Sequence, residues 1–324
     1  MSNNLKVLLV GTGNMAKEYS KVLKELGVYF DVVGRNKTNS DSFKREFNVS
    51  VFSGGLEKVL REKDLAEYKY VINSSSIDSL TSTTLFLLEK GVQNILLEKP
   101  GVANYGEIEE LFKQSKRKKN TKIVLGYNRR FYATVQKAEE IIAEDGGVKS
   151  FTFDFTEWGH VIKTYDFCES ILENWFLGNS THVVDTAFYL GGTPREMNCF
   201  KKGGLDWHSS GSTYTGAGVT DSNALFSYHA NWEGPGRWFL ELVTLKHRLI
   251  FKPFESLQIQ KLGSVQVNEV KVDYSFEKLF KPGLYEQTKA FLNSDFTKFC
   301  TLEEQYHSIT NIYNKISGYE NYKE

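Results

Sequence analysis

The chain has 324 residues, a length that suits two domains of ordinary size. Hydrophobic residues make up 40% of it and charged residues 25%, a composition that excludes intrinsic disorder as its main state. Its 40 Lys and Arg residues balance its 40 Asp and Glu residues, so no net charge attracts it to nucleic acid or to an anionic membrane.

Other classes of protein are disfavoured by local features. The apolar runs are only as long as a strand, so we expect no membrane span. Cys168, Cys199 and Cys300 are widely spaced, which disfavours a disulfide framework or a structural zinc site. The six histidines form no metal-ligand pattern, so no metal is expected. The N-terminus has no secretory signal, and we expect a cytoplasmic protein.

The first 126 residues alternate short apolar runs with segments of helical spacing. The predicted strands are 5–10, 28–33, 69–73, 93–97 and 121–126, with a weaker one at 49–52. The predicted helices are 14–26, 39–47, 55–63, 79–90 and 104–117. Strands rich in Val, Ile and Leu that alternate with helices indicate a parallel sheet covered on both faces. Residues 1–126 are therefore predicted to form a doubly wound α/β domain, with its ligand site at the carboxyl ends of the strands.

The pattern changes after about residue 147. Residues 149–158 alternate apolar and polar side chains, and parts of 222–230, 237–243 and 255–260 do the same. This period of two indicates a mostly antiparallel sheet with one covered face. Helices are predicted at 131–143, 180–190, 283–292 and 302–317. Residues 127–324 are thus predicted to form a second, α+β domain.

A glycine-rich motif follows the first predicted strand. Gly11-Thr12-Gly13-Asn14-Met15-Ala16 fits the Gly-x-Gly-x-x-Gly/Ala pattern between a strand and a helix. In that pattern the first glycine permits a tight turn and the second lets a pyrophosphate approach the backbone. Amides at the start of the helix then face the phosphates. The motif predicts a dinucleotide cofactor.

The end of the second predicted strand bears on which dinucleotide binds. An NAD site usually has an acidic residue there, but Asp31 lies before Val32 and Val33, inside the strand. The strand instead ends at Gly34-Arg35-Asn36-Lys37. Because a guanidinium can bind a 2′-phosphate, NADP is favoured and NAD is the alternative. The simpler alternative is that Arg35 and Lys37 are solvated loop residues.

Four motifs in order resemble the Gfo/Idh/MocA family of oxidoreductases, which act mostly on sugars and cyclitols. They are the glycine-rich motif, Glu98-Lys99-Pro100, Gly126-Tyr127-Asn128-Arg129-Arg130-Phe131, and His182-Val183-Val184-Asp185 before Gly191-Gly192. The segment Lys281–Gln287 also resembles the family's late helix. The resemblance implies a Rossmann domain followed by a domain with a large, mostly antiparallel open sheet. It also implies a homo-oligomer assembled through that sheet and an active site between the domains.

The resemblance implies roles for individual residues. Lys99 stands where the fifth strand ends, so it would lie at the nicotinamide and relay the proton of a substrate hydroxyl. The simpler alternative is a lysine that caps exposed carbonyls. His182 would take part in the same proton transfer, and Tyr127 would lie near the nicotinamide or the substrate. Ser74, Ser75 and Glu98 would border the cofactor, and Pro100 admits a cis bond.

The chain departs from the family at one position. Many members read Asp-x-Gly-x-His, whereas this chain reads Gly178-Asn179-Ser180-Thr181-His182. The expected carboxylate is missing at Gly178. Either Lys99 and His182 suffice, or Tyr127, Asn174 or Glu157 substitutes for it, or the redox chemistry is lost.

The substrate-side residues are chosen on chemistry alone. Trp158 and His160 follow a strand and suit a sugar ring, because aromatic faces pack against apolar sugar faces. Arg129 is either a substrate-side cation or part of an interdomain ion pair, and Asp185 orients or caps. Together with these residues, the family resemblance implies an NAD(P)-dependent dehydrogenase or reductase that acts on a CH–OH group of a sugar, cyclitol or sugar derivative. The alternatives are a cofactor-binding sensor or partner subunit without turnover, and a glycosidase that oxidises its sugar transiently.

Overall fold

A computed structural model of the chain describes residues 5–62 and 64–319. The strands are β1 (Lys6–Val10), β2 (Tyr29–Gly34), β3 (Val51–Ser53), β4 (Tyr70–Asn73), β5 (Asn94–Leu97), β6 (Lys122–Leu125), β7 (Ser150–Asp154), β8 (Pro194–Lys202), β9 (Thr213–Thr220), β10 (Leu225–Asn231), β11 (Phe239–Val243), β12 (His247–Phe251), β13 (Gln258–Lys261), β14 (Val267–Glu269) and β15 (Cys300–Thr301).

The helices are α1 (Asn14–Glu25), α2 (Lys37–Phe47), α3 (Leu56–Glu62), α4 (Leu80–Glu89), α5 (Glu107–Lys116), α6 (Ala133–Glu144), α7 (Gly159–Ile162), α8 (Glu169–Glu173), α9 (Thr181–Gly191), α10 (Ser275–Leu279), α11 (Leu284–Leu292), α12 (Leu302–Ser308) and α13 (Asn314–Ser317). A π-helical turn, Phe176–Ser180, leads directly into α9. In the described part of the chain, no helix is both long and apolar enough to cross a membrane.

The first sheet has seven strands in the order β15-β6-β5-β4-β1-β2-β3. Strands β1 to β6 are parallel, and β15 is antiparallel to β6. The order β3-β2-β1-β4-β5-β6 is that of a doubly wound dinucleotide-binding fold. Ligands of such a sheet bind at the carboxyl ends of the strands, where the strand order reverses between β1 and β4.

The core of this first unit includes side chains from far along the chain. Leu284, Phe291 and Phe299 are buried in the same apolar cluster as Val7, Ile72 and the other strand residues. Helix α11 packs on α1. The two compact units accordingly divide the chain as follows: residues up to Phe131 join Ser275–His307, and Tyr132–Tyr274 join the residues from Ser308 onward.

The second unit contains an eight-stranded sheet in the order β14-β13-β12-β11-β7-β10-β9-β8. All its neighbouring strands are antiparallel except β7 and β10, which are parallel. Helix α9 covers one face of β7, where Phe151 and Phe153 meet Phe188 edge-on. A Cβ atom on Gly191 would lie 2.4 Å from the Phe151 ring, so this helix ends in close contact with the sheet.

The predicted fold class is confirmed: a doubly wound parallel sheet precedes a unit with a mostly antiparallel open sheet. The predicted strands and helices of the first 126 residues have counterparts in β1 to β6 and α1 to α5. The sequence analysis missed β8, β9, β12, β14 and β15. It also assigned 283–292 to the second domain, whereas α11 packs within the first unit, because apolar periodicity does not tell which core a helix joins.

Candidate functional site

The glycine-rich loop lies between β1 and α1, at the carboxyl edge of the first sheet. Gly11 has φ of 118°, a conformation that residues with a side chain rarely adopt. A Cβ atom there would lie 2.4 Å from the Ser74 carbonyl oxygen, so the turn has no room for one. The Gly11 amide donates to the Val33 carbonyl at 2.8 Å. Gly11 therefore allows the ends of β1, β2 and β4 to converge.

Gly13 has a different environment from Gly11. It is exposed and precedes α1, and a Cβ atom there would meet no heavy atom within 4 Å. The chain's own packing thus does not require a glycine at this position. The first turn of α1, which begins with Asn14 and Met15, contains no acidic residue. This open space beside helix N-terminal amides fits the pyrophosphate of a dinucleotide. Thr12 forms the part of the loop between the two glycines.

Arg35 follows β2 at the same edge of the sheet. Its guanidinium donates to Ser76 Oγ at 2.8 Å and to Ser79 Oγ at 3.0 Å, both in the segment after β4. Asp31 is held elsewhere: its carboxylate accepts from Tyr68 Oη at 2.6 Å and lies 3.1 Å from Lys6 Nζ. Because Lys6 begins β1, Asp31 is engaged toward the amino ends of the strands, away from the loop.

The segment after β4 is fixed from within. The Ser74 amide and hydroxyl both donate to the Val10 carbonyl at 2.9 Å, so Ser74 connects β4 to the end of β1. The Ser75 hydroxyl donates to Asn73 Oδ1 at 2.8 Å. Asn73 is fully buried and donates to the Leu80 carbonyl at 3.1 Å. The Ser74 and Ser75 hydroxyls are thus bonded within the chain, and these bonds fix the backbone at the edge of the site.

Glu98 is a buried carboxyl group at the end of β5. Its Oε1 accepts from the Tyr19 hydroxyl at 2.6 Å, and that hydroxyl lies 3.2 Å from Gln287 Oε1. A Cβ atom on Gly126 would lie 2.9 Å from Glu98 Oε1, so the carboxyl packs directly on that backbone. Burial raises the pKa of Glu98 above its ordinary value, although the Tyr19 hydrogen bond and the charge of Lys99 act in the opposite direction.

Lys99 and Pro100 form the turn that follows Glu98. Lys99 is partly exposed, and the Lys99–Pro100 peptide bond is cis. Gln305 supports the turn, because its Nε2 donates to the Pro100 carbonyl at 2.7 Å and to the Tyr127 hydroxyl at 3.1 Å. Tyr127 is itself buried. The Gln305 amide thus connects the Tyr127 hydroxyl to the carbonyl of Pro100, the residue after Lys99.

The sequence analysis gave no role to Lys281, although the segment that contains it was noticed. Lys281 Nζ lies 3.2 Å from Met15 Sδ, at the start of α1. Its positive charge also acts on Glu98. The structure therefore brings a cation from far along the chain to the glycine-rich loop. Periodicity in the sequence could not have shown this proximity.

The second unit holds a buried carboxylate just before His182. Glu157 follows β7, and its Oε1 accepts from Asn179 Nδ2 at 2.9 Å and from Ser180 Oγ at 2.8 Å. Asn179 and Ser180 end the π-helical turn that leads into α9, where His182 is the second residue. Glu157 thus holds a negative charge at the N-terminus of this helix, the end that favours one.

Two tryptophans flank an arginine beside this carboxylate. The Arg237 guanidinium carbon lies 4.9 Å from the Trp158 ring centre and 4.5 Å from the Trp238 ring centre. Arg237 Nη1 lies 3.4 Å from Glu157 Oε2. The ring of Trp238 also lies 6.4 Å from that of His182, centre to centre. The structure therefore groups His182, Glu157 and Trp158 with two residues that the sequence analysis missed.

The positions of the other expected substrate-side residues say less about their roles. His160 is exposed in the short helix α7, and Asp185 is buried in α9. Arg129 lies in a 3₁₀ turn, Asn128–Phe131, of the first unit. Trp232 is buried and stacks on Trp207, which indicates a core role for this pair.

Comparison with known proteins gives a family match for the first part of the chain. Residues 5–127 match the Gfo/Idh/MocA model, described as an oxidoreductase family with an NAD-binding Rossmann fold. No curated protein matches the chain.

Solved structures resemble the chain over nearly its whole length. Levoglucosan dehydrogenase in complex with NADH and levoglucosan has a TM-score of 0.78 at 16% identity, covering 99% of this chain and 98% of that one. UDP-N-acetylglucosamine 3-dehydrogenase GnnA from Acidithiobacillus ferrooxidans has a TM-score of 0.73 at 13% identity, covering 97% and 98%. The WlbA dehydrogenase from Chromobacterium violaceum, in complex with NADH and UDP-GlcNAcA, has a TM-score of 0.74 at 15% identity, covering 99% and 95%.

These low identities show a shared fold. The sequence similarity to the Gfo/Idh/MocA oxidoreductases lies in residues 5–127.

Proposed function

We propose that the chain is an NADP-preferring dehydrogenase or reductase that acts on a CH–OH group of a sugar, a cyclitol or a sugar derivative. The observation that carries this proposal is the open space at Gly13, at the same carboxyl edge of the sheet as the Lys99 turn. A bound nicotinamide cofactor would supply the hydride chemistry. The chain's residues would bind and orient the reactants and move the proton.

Cofactor binding is assigned to the edge formed by β1, β2, β4 and β5. Gly11, Thr12, Gly13, Asn14 and Met15 would hold the pyrophosphate, with Lys281 as a further cation. Ser74, Ser75 and Glu98 would act by shaping this edge, because their polar atoms bond within the chain. Arg35 would bind the 2′-phosphate that distinguishes NADP from NAD, and Asp31 is engaged elsewhere.

Proton transfer is assigned to Lys99 and His182, as the family resemblance implies. Lys99 would share the proton of the substrate hydroxyl through Nζ. Tyr127 would position Lys99 through Gln305. Glu157 would supply the carboxylate that the family usually has at the position of Gly178, since it binds the two residues that precede α9. Trp158 would offer its half-exposed ring to a sugar face.

Support for a sugar-like substrate comes from the chemistry of this cluster and from the similar structures. Levoglucosan dehydrogenase and the WlbA dehydrogenase were solved with a sugar or a nucleotide sugar and NADH. A homo-oligomer assembled through the open sheet remains a proposal from the resemblance.

The two loop glycines give a matched pair of variants. Gly13→Ala should weaken NADPH binding at least about tenfold, because the methyl group would enter the space for the pyrophosphate. Its melting temperature should be unchanged, since no atom of the chain lies near that Cβ position. Gly11→Ala should lower the melting temperature, because its methyl group meets the Ser74 carbonyl. Fluorescence titration and thermal denaturation measure the two effects. Unchanged NADPH affinity in Gly13→Ala would contradict the assignment.

Arg35 can be tested by comparing the two dinucleotides. The parent protein should bind NADPH more tightly than NADH. Arg35→Ala should raise the Kd for NADPH about tenfold or more, because a charge-assisted contact is lost, while NADH affinity stays within about twofold. Arg45→Ala, an arginine farther along α2, is the control. A parent preference for NADH, or an equal loss for both dinucleotides, would show that Arg35 does not select the cofactor.

Substitution of Lys99 tests the proposed proton transfer. The parent protein is screened for reduction of NADP⁺ with hexoses, inositols and nucleotide sugars, and NADPH binding is measured in parallel. Lys99→Met should lower kcat about 10²-fold to 10⁴-fold and leave NADPH affinity unchanged, because proton transfer is lost and the cofactor contacts remain. Lys90→Met is the surface control.

Three outcomes of this screen would overturn the assignments. Full activity in Lys99→Met would remove its catalytic role. Cofactor binding without turnover of any sugar would identify a sensor or partner subunit. Cleavage of a glycoside without net reduction of the cofactor would identify a glycosidase that uses transient oxidation.

Glu157 can be separated from a purely structural role by a rescue experiment. Glu157→Gln should lower kcat about tenfold to a hundredfold and shift its pH profile to lower pH, because a negative charge near His182 is removed. Adding Gly178→Asp should restore part of the rate and the profile. Glu241→Gln, which removes a carboxylate on β11, is the control. Parent activity and an unchanged profile in Glu157→Gln would show that this carboxylate has no part in the reaction.

A further inference from the structure

Arg237 has an unusual setting for a half-exposed side chain. Its guanidinium carbon lies 4.9 Å from the centre of the Trp158 ring and 4.5 Å from that of the Trp238 ring, within cation–π distance of both. The Trp158 ring is itself fixed, because its Nε1 donates to the Gly236 carbonyl at 2.9 Å. Trp238 is buried. These contacts restrict the arginine side chain in the folded protein. A ligand that binds it therefore causes a smaller further loss of side-chain entropy.

The Arg237 guanidinium offers its edge for hydrogen bonds. The N–H groups of a guanidinium lie in one plane, so contact of its face with a ring leaves them available for hydrogen bonds. Among the described residues, its hydrogen-bond partner is Glu157, at 3.4 Å from Nη1, longer than a charge-assisted bond usually is. With 47% of the side chain exposed, the remaining N–H groups of this edge have access to solvent.

Glu157 forms an ion pair with Arg237 at 3.4 Å, but Arg237 is not its only partner. That carboxylate has two shorter hydrogen bonds, from Asn179 at 2.9 Å and from Ser180 at 2.8 Å. Its side chain is buried, with 2% exposed. Arg237 therefore has further N–H donors beside Trp158, a residue that is 48% exposed.

We infer that Arg237 is a subsite for an oxyanion carried by the sugar substrate, a carboxylate or a phosphate. The planar fork of a guanidinium matches the two oxygens of such a group. Trp158 would pack on the sugar ring while Arg237 binds its charged substituent. The site lies beside His182, to which Trp238 is adjacent, so a bound sugar would have its reacting carbon near that histidine. This inference rests on the proposed function for the identity of the ligand as a sugar.

A neutral diol is the alternative ligand for the same edge. Neutral hydroxyls would gain less from a guanidinium than an oxyanion does, because hydrogen bonds between charged partners are roughly twice as strong as neutral ones. The comparison of a neutral sugar with its charged counterparts therefore decides between them.

The experiment measures binding rather than turnover, so that it does not depend on the redox reaction. Quenching of tryptophan fluorescence is titrated with glucose, glucuronate and glucose 6-phosphate, in the presence of saturating NADPH. Trp158 and Trp238 flank the subsite and act as the reporters. Arg237→Lys and Arg237→Gln are compared with Arg248→Gln. Arg248 is 48% exposed and pairs with Glu241 at 2.8 Å, which makes it a matched control.

At least one charged sugar should bind about tenfold more tightly than glucose or better. Arg237→Gln should abolish this difference, Arg237→Lys should reduce it because a point charge replaces the fork, and Arg248→Gln should leave it unchanged. Preference for glucuronate identifies a carboxylate ligand, and preference for glucose 6-phosphate a phosphate. Equal binding of the three sugars, or binding of none, overturns the inference. Failure of the proposed function would appear separately, as absent turnover in the Lys99 screen.

Discussion

The first unit depends on the hydrogen bond between the Tyr19 hydroxyl and the Glu98 carboxyl, 2.6 Å long and fully buried. It joins α1 to the end of β5, and Gln287 of α11 lies against the same hydroxyl. A buried carboxyl group is costly unless it has partners, which is why its surroundings are so constrained. Gly126 leaves space for it, and Lys99 follows it in the chain. The position of the proposed proton-handling lysine is thus fixed by a bond that it does not make.

Much of the fold could be predicted because the signals were local. Buried parallel strands read as continuous apolar runs, and β1, β4, β5 and β6 largely have this character. The segments β8 and β9 escaped because the pattern was weak: β8 is largely polar and exposed, and β9 contains Gly216 and Gly218. Glycine is needed at both positions, because the rings of Tyr228 and Phe226 occupy the space that a side chain would need. Contacts of this kind, between residues of different strands, cannot be predicted from the local sequence.

The candidate site shows the same division. The glycine-rich motif and Glu98-Lys99-Pro100 are contiguous, so their positions at the ends of β1 and β5 could be predicted from the sequence. Glu157 could be named only as one of several substitutes for the carboxylate missing at Gly178. Its contacts with Asn179 and Ser180 depend on where β7 ends relative to α9. Arg237 gave no signal at all, since an isolated arginine after a Gly-Pro-Gly turn resembles any exposed loop cation. Its proposed role was inferred from its contacts with two tryptophans, one of them distant in the sequence.

The return of Ser275–His307 to the first unit has a consequence for how the protein is made. Translation delivers β1 to β6 well before α11 and β15, with the second sheet synthesised in between. Until then the surface that later covers Leu284, Phe291 and Phe299 is bare, and the sheet edge at β6 lacks its partner. An exposed strand edge and an apolar surface are the features that nascent chains present to chaperones. The first unit is therefore begun first and completed late, so its folding on the ribosome has to wait for most of the chain.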